Sequence, residues 1–408
     1  MNKKTIGVGG STAAQELEKI QLMTQGIEAI SVNEYLTRIK KLQSLMQEKG
    51  VDYIYIDAGT NLYYFTGVYW YPSERLVGAL IHVSGNIEYL VPAFEKGTFS
   101  GMMLIDGDIH CWHEDECPYH LFASVVNKNN SSSKVIALDD ATPYFRFDGI
   151  NNANNHHKFI NGSSLIGPCR RSKSDAELAL MQRANDITLE VHKAAARILK
   201  TGITTQQVTQ FINEAHKAAG ATSGSDFCIV LFGEDTQYPH GVKSPKALED
   251  NDVVLIDTGC NLMGYRSDIT RCYIFGEPND RQRQIWDYEK QAQAEAYNAI
   301  VLGEECGNAD KAVRDYLLTV DLGPDYELPG VPHRTGHGIG LNIHEAPNLV
   351  RNDTTLLEKG MCFSVEPMIC MPGEFGIRLE DHVYITETGP KWFTEPCHTI
   401  DDPFGYEK

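Results

Sequence analysis

The pattern of hydrophobic and polar positions in the N-terminal part of the chain predicts helices mixed with strands. Ser31 followed by Glu34 is typical of a helix N-terminus, and apolar residues then recur at helical spacing up to Gly50. Short apolar runs bounded by turn residues predict strands, at 52–57, 76–83, 87–91 and 135–139. This mixture predicts an α/β domain.

The second half of the chain predicts longer helices and more strands. One helix is predicted to begin after Ser174, a second to run from Thr204 to about Ala219, and a third to cover 284–302. Apolar runs predict the strands, at 228–232, 253–257, 271–275, 363–368 and 382–386. We therefore expect an N-terminal arm over 1–32, one domain over 33–165 and a larger domain over 166–408.

Composition and charge argue against several classes of protein. The chain has 408 residues and a formal net charge of −19, and an acidic surface repels phosphate backbones, which argues against nucleic-acid binding. Its longest apolar runs are far shorter than the about 18 residues of a membrane span, and no apolar secretory segment follows Met1. The ten cysteines contain no Cys-x-x-Cys pair. We expect reduced thiols in a cytoplasmic protein without membrane association.

Several acidic residues and a histidine stand at places where a charge is costly to bury without a partner. Asp257 and Glu366 each end an apolar strand, and the other members of the set lie in glycine-flanked segments, at Asp268, His337 and Glu380. Four carboxylates and one imidazole suit a pair of hard divalent cations. Two such cations about 3.5–4 Å apart can share and activate one water molecule.

The order and spacing of these five residues resemble the pita-bread metallopeptidase family, which contains methionine aminopeptidase, aminopeptidase P and Xaa-Pro dipeptidase (prolidase). In that family the metal ligands run Asp, Asp, His, Glu, Glu, and the two aspartates are eleven positions apart, as Asp257 and Asp268 are. The family histidine lies in Gly-His-Gly-x-Gly, seven positions before a second histidine, as His337 precedes His344. The family's Glu-Pro and Gly-x-Arg-x-Glu-Asp motifs are also present, at Glu366 and Glu380.

A further motif extends the resemblance to the N-terminal half. The stretch 57–67 reads Asp-Ala-Gly-Thr-Asn-Leu-Tyr-Tyr-Phe-Thr-Gly and is similar to a signature of the family's two-domain members. The resemblance implies an α/β creatinase-type N-terminal domain over 33–165, followed by an α+β pita-bread catalytic domain over 166–408. It indicates the prolidase and aminopeptidase P branch, and the stretch 333–347 is similar to bacterial Xaa-Pro dipeptidases.

The resemblance implies a role for each metal ligand. Asp257 would chelate one cation, His337 and Glu366 would bind the other, and Asp268 and Glu380 would bridge the two. A metal-bridging hydroxide would attack the peptide bond, with Glu366 as the general base that passes the proton to the leaving nitrogen. Oxygen-rich ligation with one imidazole favours Mn²⁺, and Co²⁺, Zn²⁺ and Fe²⁺ stay open.

Four further residues are implied as substrate contacts. His240 would lie near the scissile bond, and His344 would hydrogen-bond the scissile carbonyl or the tetrahedral intermediate. His333 would line the pocket for the residue after the cleaved bond, and Arg378 would position substrate or brace Glu380. For each of these four residues the alternative is a supporting role behind the site.

Other polar and aromatic groups allow two interpretations. Thr270 is expected to orient Asp268, or to be a plain strand threonine. An aromatic cluster lies near the N-terminal motif, with Tyr63, Tyr64, Trp70 and Tyr71 as its members. It either packs in the core or at the surface, or closes the active site of a partner subunit. The stretch 110–116 contains two histidines and three acidic residues, yet we expect a solvated loop there.

We therefore expect a dimetal peptidase that hydrolyses Xaa-Pro dipeptides, with a homodimer as its assembly. Proline makes a tertiary amide that has no N–H, so general peptidases handle it badly. An arginine can bind the dipeptide's free carboxylate bidentately. Arg378 is the first candidate, and an arginine from the N-terminal domain of a partner subunit, such as Arg75, is the second. Aminopeptidase P, which acts on longer Xaa-Pro peptides, is the nearest alternative. Creatinase-like hydrolases or lyases and non-catalytic binding relatives are less favoured, because all five ligands are present.

Overall fold

The computed structural model describes residues 4–128 and 132–407, which form two compact units. One unit spans Ile30–Arg170, and the other joins the segment up to Ala29 to the chain from Arg171 onward. That first segment contains helix α1 (Ala13–Lys19), and residues 1–3 of the predicted arm lie outside the described part. Within the described ranges, no helix combines the length and the apolar character that crossing a membrane demands.

The unit Ile30–Arg170 is an α/β domain built on one mixed sheet. Its helices are α2 (Val32–Lys49), α3 (Thr60–Thr66), α4 (Lys96–Met102), α5 (Pro118–Asn127), α6 (Tyr144–Ala153) and α7 (Ser163–Arg170), with a 3₁₀ turn at Ala93–Glu95. Its strands are β1 (Tyr53–Asp57), β2 (Gly78–His82), β3 (Ile87–Pro92), β4 (Gly107–Trp112), β5 (Val135–Leu138) and β6 (Lys158–Asn161). The sheet order is β4-β3-β2-β1-β5-β6. β1, β2 and β3 are antiparallel neighbours, whereas β4, β5 and β6 join in parallel.

The predicted ends of helix α2 agree with the structure of this unit, whereas the predicted loop over 110–116 agrees only in part. The Ser31 hydroxyl accepts from the Glu34 N–H at 3.2 Å, and Gly50 ends α2 in the left-handed conformation. The prediction of a loop over 110–116 is wrong at His110, because this residue lies in β4 and hydrogen-bonds Glu88. Residues 113–116 do form an exposed loop.

The predicted aromatic cluster divides between interior and surface. Tyr64 is buried, and its hydroxyl donates to the Cys169 carbonyl at 2.6 Å within the same unit. Tyr71 is 73% exposed. The packing interpretation therefore holds for Tyr64, while Tyr71 has no core role and its contact with a partner subunit stays a prediction.

The second unit combines helices with antiparallel sheets. Its further helices are α8 (Asp175–Arg197), α9 (Thr205–Ala219), α10 (Asp280–Ala299) and α11 (Gly307–Thr319), with a 3₁₀ turn at Gly233–Gln237. Its strands are β7 (Ser225–Phe232), β8 (Val253–Leu262), β9 (Tyr265–Arg266), β10 (Ile269–Ile274), β11 (Gly336–Gly338), β12 (Glu345–Leu349), β13 (Cys362–Val365), β14 (Met368–Met371), β15 (Phe375–Arg378), β16 (Asp381–Thr386) and β17 (Gly389–Trp392). They form the sheets β10-β8-β7, with β9 beside β8, then β12-β11-β13-β16-β17, and β14-β15.

Strand β8 is buried on both faces, and this explains its continuous apolar run. Val254 and Ile256 pack in a core with α8 and α9, whereas Val253 and Leu255 pack in a second core with α10 and α11. Successive side chains of a strand alternate between its faces. Asp257 therefore lies on the same face as Leu255, toward the second core.

The helices of this unit begin where capping residues stand. The Ser174 side chain accepts from the Glu177 N–H at 3.2 Å, and Glu177 bonds back to the Ser174 N–H at 2.9 Å. Helix α10 begins at Asp280, earlier than predicted, because Asn279 caps it. Helix α11 was not predicted, and it is held by the buried Val313 and Leu317.

A buried ion pair ties β10 to β16 and generates a stability prediction. Arg271 Nη2 lies 2.6 Å from Asp381 Oδ1, and both side chains are almost fully buried. Arg271→Met should lower the free energy of unfolding by roughly 3–5 kcal/mol, because it leaves the Asp381 charge buried and unpaired. Urea unfolding of the metal-free protein measures this loss.

The matched control removes an exposed pair of the same type. Arg281 Nε lies 3.1 Å from Glu374 Oε2 at the surface, so Arg281→Met should cost about 0–1 kcal/mol. Equal losses in the two variants would contradict the role given to the buried pair.

Candidate active site

Strands β8 and β10 bring the two predicted aspartate ligands together. They pair antiparallel with Asp257 opposite Thr270. Asp268 lies two residues before Thr270, and residues two apart share a face of a strand. The spacing of eleven positions therefore follows from a hairpin that returns the second aspartate to the face of the first.

The other three predicted ligands come from neighbouring strands of the same unit. His337 lies in β11, and Glu366 directly follows β13. Glu380 directly precedes β16, and its N–H donates to the Thr270 carbonyl at 3.2 Å. This single backbone link fastens the Glu380 segment to the strand next to Asp268.

The ligand side chains converge in a buried cluster. His337 Nε2 lies 3.2 Å from Glu366 Oε1 and 3.7 Å from Asp268 Oδ2. Asp268, His337 and Glu380 offer ligand atoms that all lie within 4.8 Å of one another. Asp257 interacts electrostatically with Glu366 across the same cluster. The five residues selected from the sequence are thus neighbours in space.

The tautomer of His337 suits a ligand. Its Nδ1 lies 3.0 Å from the Gly338 carbonyl oxygen, which can only accept a hydrogen bond. The ring proton therefore belongs on Nδ1, and the Nε2 lone pair faces the carboxylates. The His337 N–H also donates to Ser364 Oγ at 3.0 Å, which fixes the start of the motif.

Three carboxylate oxygens of the cluster are buried without a hydrogen-bond partner among the described residues. They belong to Asp257, Asp268 and Glu380, as Oδ1, Oδ1 and Oε1. A buried charged oxygen without a donor is costly, so such groups are usually paired or coordinate a metal. Together with the free face of His337, these oxygens provide the hard donor set that divalent cations bind.

The pKa values of the clustered carboxyl groups also indicate that the site needs positive charge. Burial raises the pKa of Asp268, and the neighbouring Glu380 and Asp257 raise it further. Burial likewise raises the pKa of Glu380, with Glu366 and Asp257 adding to the effect. Because like charges oppose each other's ionisation, the four carboxylates cannot all be charged without cations between them.

A chain of hydrogen bonds supports the cluster from behind. The Thr270 hydroxyl donates to Glu380 Oε2 at 2.6 Å and accepts from Arg378 Nε at 2.9 Å. The other arm of Arg378 pairs with Asp257 Oδ2. The expectation that Thr270 orients Asp268 is therefore wrong, because the strand register places its hydroxyl against Glu380.

A cavity of about 660 Å³ opens next to this cluster. Glu366 forms part of its wall, together with the four predicted substrate residues, His240, His333, His344 and Arg378. Apolar groups complete the lining, among them Tyr238, Leu328, Pro332, Cys370 and Pro372. This volume and this mixture of apolar walls and a few polar groups are typical of small-molecule sites.

The three cavity histidines differ in environment. Burial lowers the pKa of His344 to about 4, with a contribution from His337 and Arg334, so its ring is neutral at pH 7. Burial also lowers the pKa of His333, whose Nδ1 lies 2.7 Å from the Arg334 carbonyl oxygen. His240 is exposed at the mouth. Neutral imidazoles can donate or accept one hydrogen bond each toward a bound molecule.

The sequence analysis missed two residues that the structure brings to the site. Ser364 Oγ donates to Glu366 Oε1 at 3.2 Å, and Arg334 lines the cavity beside His333. Arg334 stands inside the stretch 333–347 used to recognise the site, and Ser364 lies two residues before the Glu-Pro motif. Ser364 lies in β13, two residues before Glu366, which directly follows that strand, and this spacing was the signal that could have identified it.

Fold and site together define a metallopeptidase with an α/β N-terminal domain. Residues 179–387 match metallopeptidase family M24, and residues 38–172 match the creatinase/prolidase N-terminal domain. The first match covers 209 of the 408 residues, and the chain belongs to metallopeptidase family M24. The predicted fold class, a creatinase-type domain followed by a pita-bread catalytic domain, is confirmed.

Named relatives cover nearly the whole chain. An Xaa-Pro dipeptidase of Lactobacillus helveticus is 31% identical over 367 residues, which are 89% of this chain and 97% of the relative. The solved structure of dipeptidase PepE from Mycobacterium ulcerans is 29% identical, with a TM-score of 0.83 over 91% of this chain and 99% of that one. A prolidase structure from Thermococcus sibiricus is 25% identical, with a TM-score of 0.81 over 90% and 98%.

The unpartnered oxygens generate a prediction about metal binding. Adding Mn²⁺ to chelator-treated protein should raise its thermal unfolding midpoint, because a cation that binds only the folded state at 100 times its Kd stabilises by about 2.7 kcal/mol. The double variant Asp268→Asn/Glu380→Gln should lose most of this shift. Differential scanning calorimetry measures both.

A second group of possible ligands provides the control. Glu88, Asp108 and His110 also lie close together, in the other unit. Glu88→Gln should leave the Mn²⁺ response intact. If Glu88→Gln abolished the stabilisation by Mn²⁺ and the double variant retained it, the metal site would have to be assigned to the N-terminal domain.

Proposed function

We propose that this protein is a two-metal Xaa-Pro dipeptidase, a prolidase. The observation that carries the proposal is the set of three buried carboxylate oxygens beside His337 and Glu366 that have no hydrogen-bond partner among the described residues, next to a cavity of about 660 Å³. The relatives named Xaa-Pro dipeptidase and prolidase support the choice of substrate.

The ligand set would hold two cations. Asp257 would hold one cation, His337 and Glu366 would hold the other, and Asp268 and Glu380 would be shared by both. Divalent cations bound there would lower the pKa of water toward neutrality and polarise the scissile carbonyl. Mn²⁺ is our choice, since oxygen donors outnumber nitrogen donors, and Co²⁺, Zn²⁺ or Fe²⁺ would fit the same donors.

Glu366 is the proposed general base. Burial opposes its ionisation, but nearby positive charge, which includes the Arg378 guanidinium, holds the pKa of its carboxyl below the ordinary value. The Ser364 hydroxyl fixes Oε1. Glu366 would take a proton from the attacking water and deliver it to the proline nitrogen as the bond breaks.

The histidines of the cavity hold the substrate in this proposal. His344 is neutral, so one ring N–H can donate to the scissile carbonyl oxygen as negative charge develops there. His333 would line the side that receives proline, and His240 would contact the substrate near the scissile bond. Arg378 acts by bracing Asp257 and, through Thr270, Glu380.

Aminopeptidase P activity is the second candidate function, because its metal chemistry would use the same ligands. The homodimer, the cytoplasmic location and the contact of Tyr71 with a partner stay predictions that rest on the family resemblance and on the cysteine pattern. All ten cysteines are free, and seven of them are buried, which is compatible with reduced thiols.

The base assignment predicts the effect of Glu366→Gln. An amide cannot accept the proton, so kcat for Ala-Pro should fall by about 10²–10⁴-fold while metal still binds. Steady-state kinetics and elemental analysis on the same sample measure both quantities. Glu374→Gln, which alters an exposed glutamate, is the control. A metal-loaded Glu366→Gln enzyme with near-normal kcat would assign the base elsewhere.

The substrate assignment predicts a preference for dipeptides. The value of kcat/KM should be higher for Ala-Pro and Leu-Pro than for Ala-Pro-Gly-Gly, because a closed pocket around the proline carboxylate excludes a continuing chain. Creatine is the control substrate and should not be cleaved. A clear preference for the tetrapeptide would make the enzyme an aminopeptidase P without changing the metal chemistry.

A further inference from the structure

Arg334 has an unusual position for an arginine. It is half-buried in the wall of the active-site cavity, next to His333. Its one side-chain hydrogen bond within the described ranges runs from Nη1 to Asn348 Oδ1 at 3.0 Å. No carboxylate of those ranges lies within ion-pair distance of it. The guanidinium has five N–H donors, so most of them have no acceptor among residues 4–128 and 132–407.

The other arginine of the cavity contrasts with Arg334. Arg378 is buried, pairs with Asp257 and donates to Thr270. Its charge and its donors are therefore used by the metal ligands. A substrate carboxylate that entered the cavity would compete with Asp257 for Arg378, whereas Arg334 offers its charge without such competition.

We propose that Arg334 is the carboxylate receptor of the active-site cavity. This inference rests on the proposed peptidase function and specifies its substrate. Asn348 holds one nitrogen of the fork, so the guanidinium is oriented before a ligand arrives. A planar fork of N–H donors matches a carboxylate bidentately. The receptor is thus an arginine of the metal-histidine motif, and not Arg378 or Arg75.

Two groups of a peptide could supply the carboxylate. One is the free C-terminus, which every Xaa-Pro dipeptide carries and which a longer peptide places elsewhere. The other is an acidic side chain on the residue before proline. Both have the same chemistry, and a comparison of substrates distinguishes them.

The test compares Arg334→Gln with the wild-type holoenzyme on four substrates: Ala-Pro, Ala-Pro-amide, Glu-Pro and Gln-Pro. If the C-terminus is the ligand, the variant should lose about 10- to 100-fold in kcat/KM on Ala-Pro, mainly through KM, as expected for charge-assisted hydrogen bonds. Ala-Pro-amide should be unaffected. If an acidic side chain is the ligand, the variant should instead lose only the preference for Glu-Pro over Gln-Pro.

Two further variants separate geometry from charge. Arg334→Lys keeps the charge but not the planar fork, so it should recover part of the lost kcat/KM. Arg281→Gln removes an exposed arginine outside the cavity and should behave as wild type. Unchanged substrate ratios in Arg334→Gln would overturn the proposal.

A binding measurement keeps this inference separate from the proposed function. Isothermal titration of metal-loaded Glu366→Gln with Ala-Pro and Ala-Pro-amide, and with Glu-Pro and Gln-Pro, requires no turnover. Adding Arg334→Gln should remove the preference for the carboxylate-bearing member of one pair. Wild type that cleaves no Xaa-Pro peptide would refute the prolidase proposal, whereas equal affinities with and without Arg334 would refute the receptor alone.

Discussion

The structure depends on one constraint, the concentration of negative charge in a buried place. Asp257, Asp268, Glu366 and Glu380 lie together around one imidazole, and three of their oxygens have no donor among the described residues. One guanidinium, that of Arg378, opposes four carboxylates. Because a single positive charge cannot balance four negative ones in a low-dielectric site, the native arrangement requires cations to complete it.

The fold holds these charges together because the ligands lie in or next to strands that are fixed by packing and by hydrogen bonds. Strand β8 is clamped between two apolar cores, and β10 pairs with it in fixed register. Thr270 then links β10, which directly follows Asp268, to Glu380, because its carbonyl accepts from the Glu380 N–H and its hydroxyl donates to Glu380 Oε2. Displacement of one ligand would require a slip of strand register, which would also exchange buried and exposed faces.

The sequence predicted the parts of this arrangement that leave a local trace. A strand buried on both faces reads as an uninterrupted apolar run, so a charge directly after Ile256 is conspicuous, and the predicted helix starts at Ser174 and Thr204 follow from local capping chemistry. The partner of Thr270 could not be predicted, since it depends on which segment lies beside β10. Helix α11 was not predicted, because its apolar residues are few and widely spaced.

The two cavity arginines also show that the sequence alone does not reveal which groups a side chain contacts. Both stand inside recognised motifs, and from sequence alone Arg378 was the natural candidate for a substrate carboxylate. The structure shows that its nitrogens serve Asp257 and Thr270, so that it belongs to the charge balance of the metal ligands. Arg334 makes its side-chain hydrogen bond to the neutral amide of Asn348. Because no carboxylate of the described residues lies within ion-pair distance of Arg334, its charge would, in the proposed function, attract an anionic group away from the metal carboxylates. A bound dipeptide would thereby be oriented with its peptide bond between the arginine and the metal site.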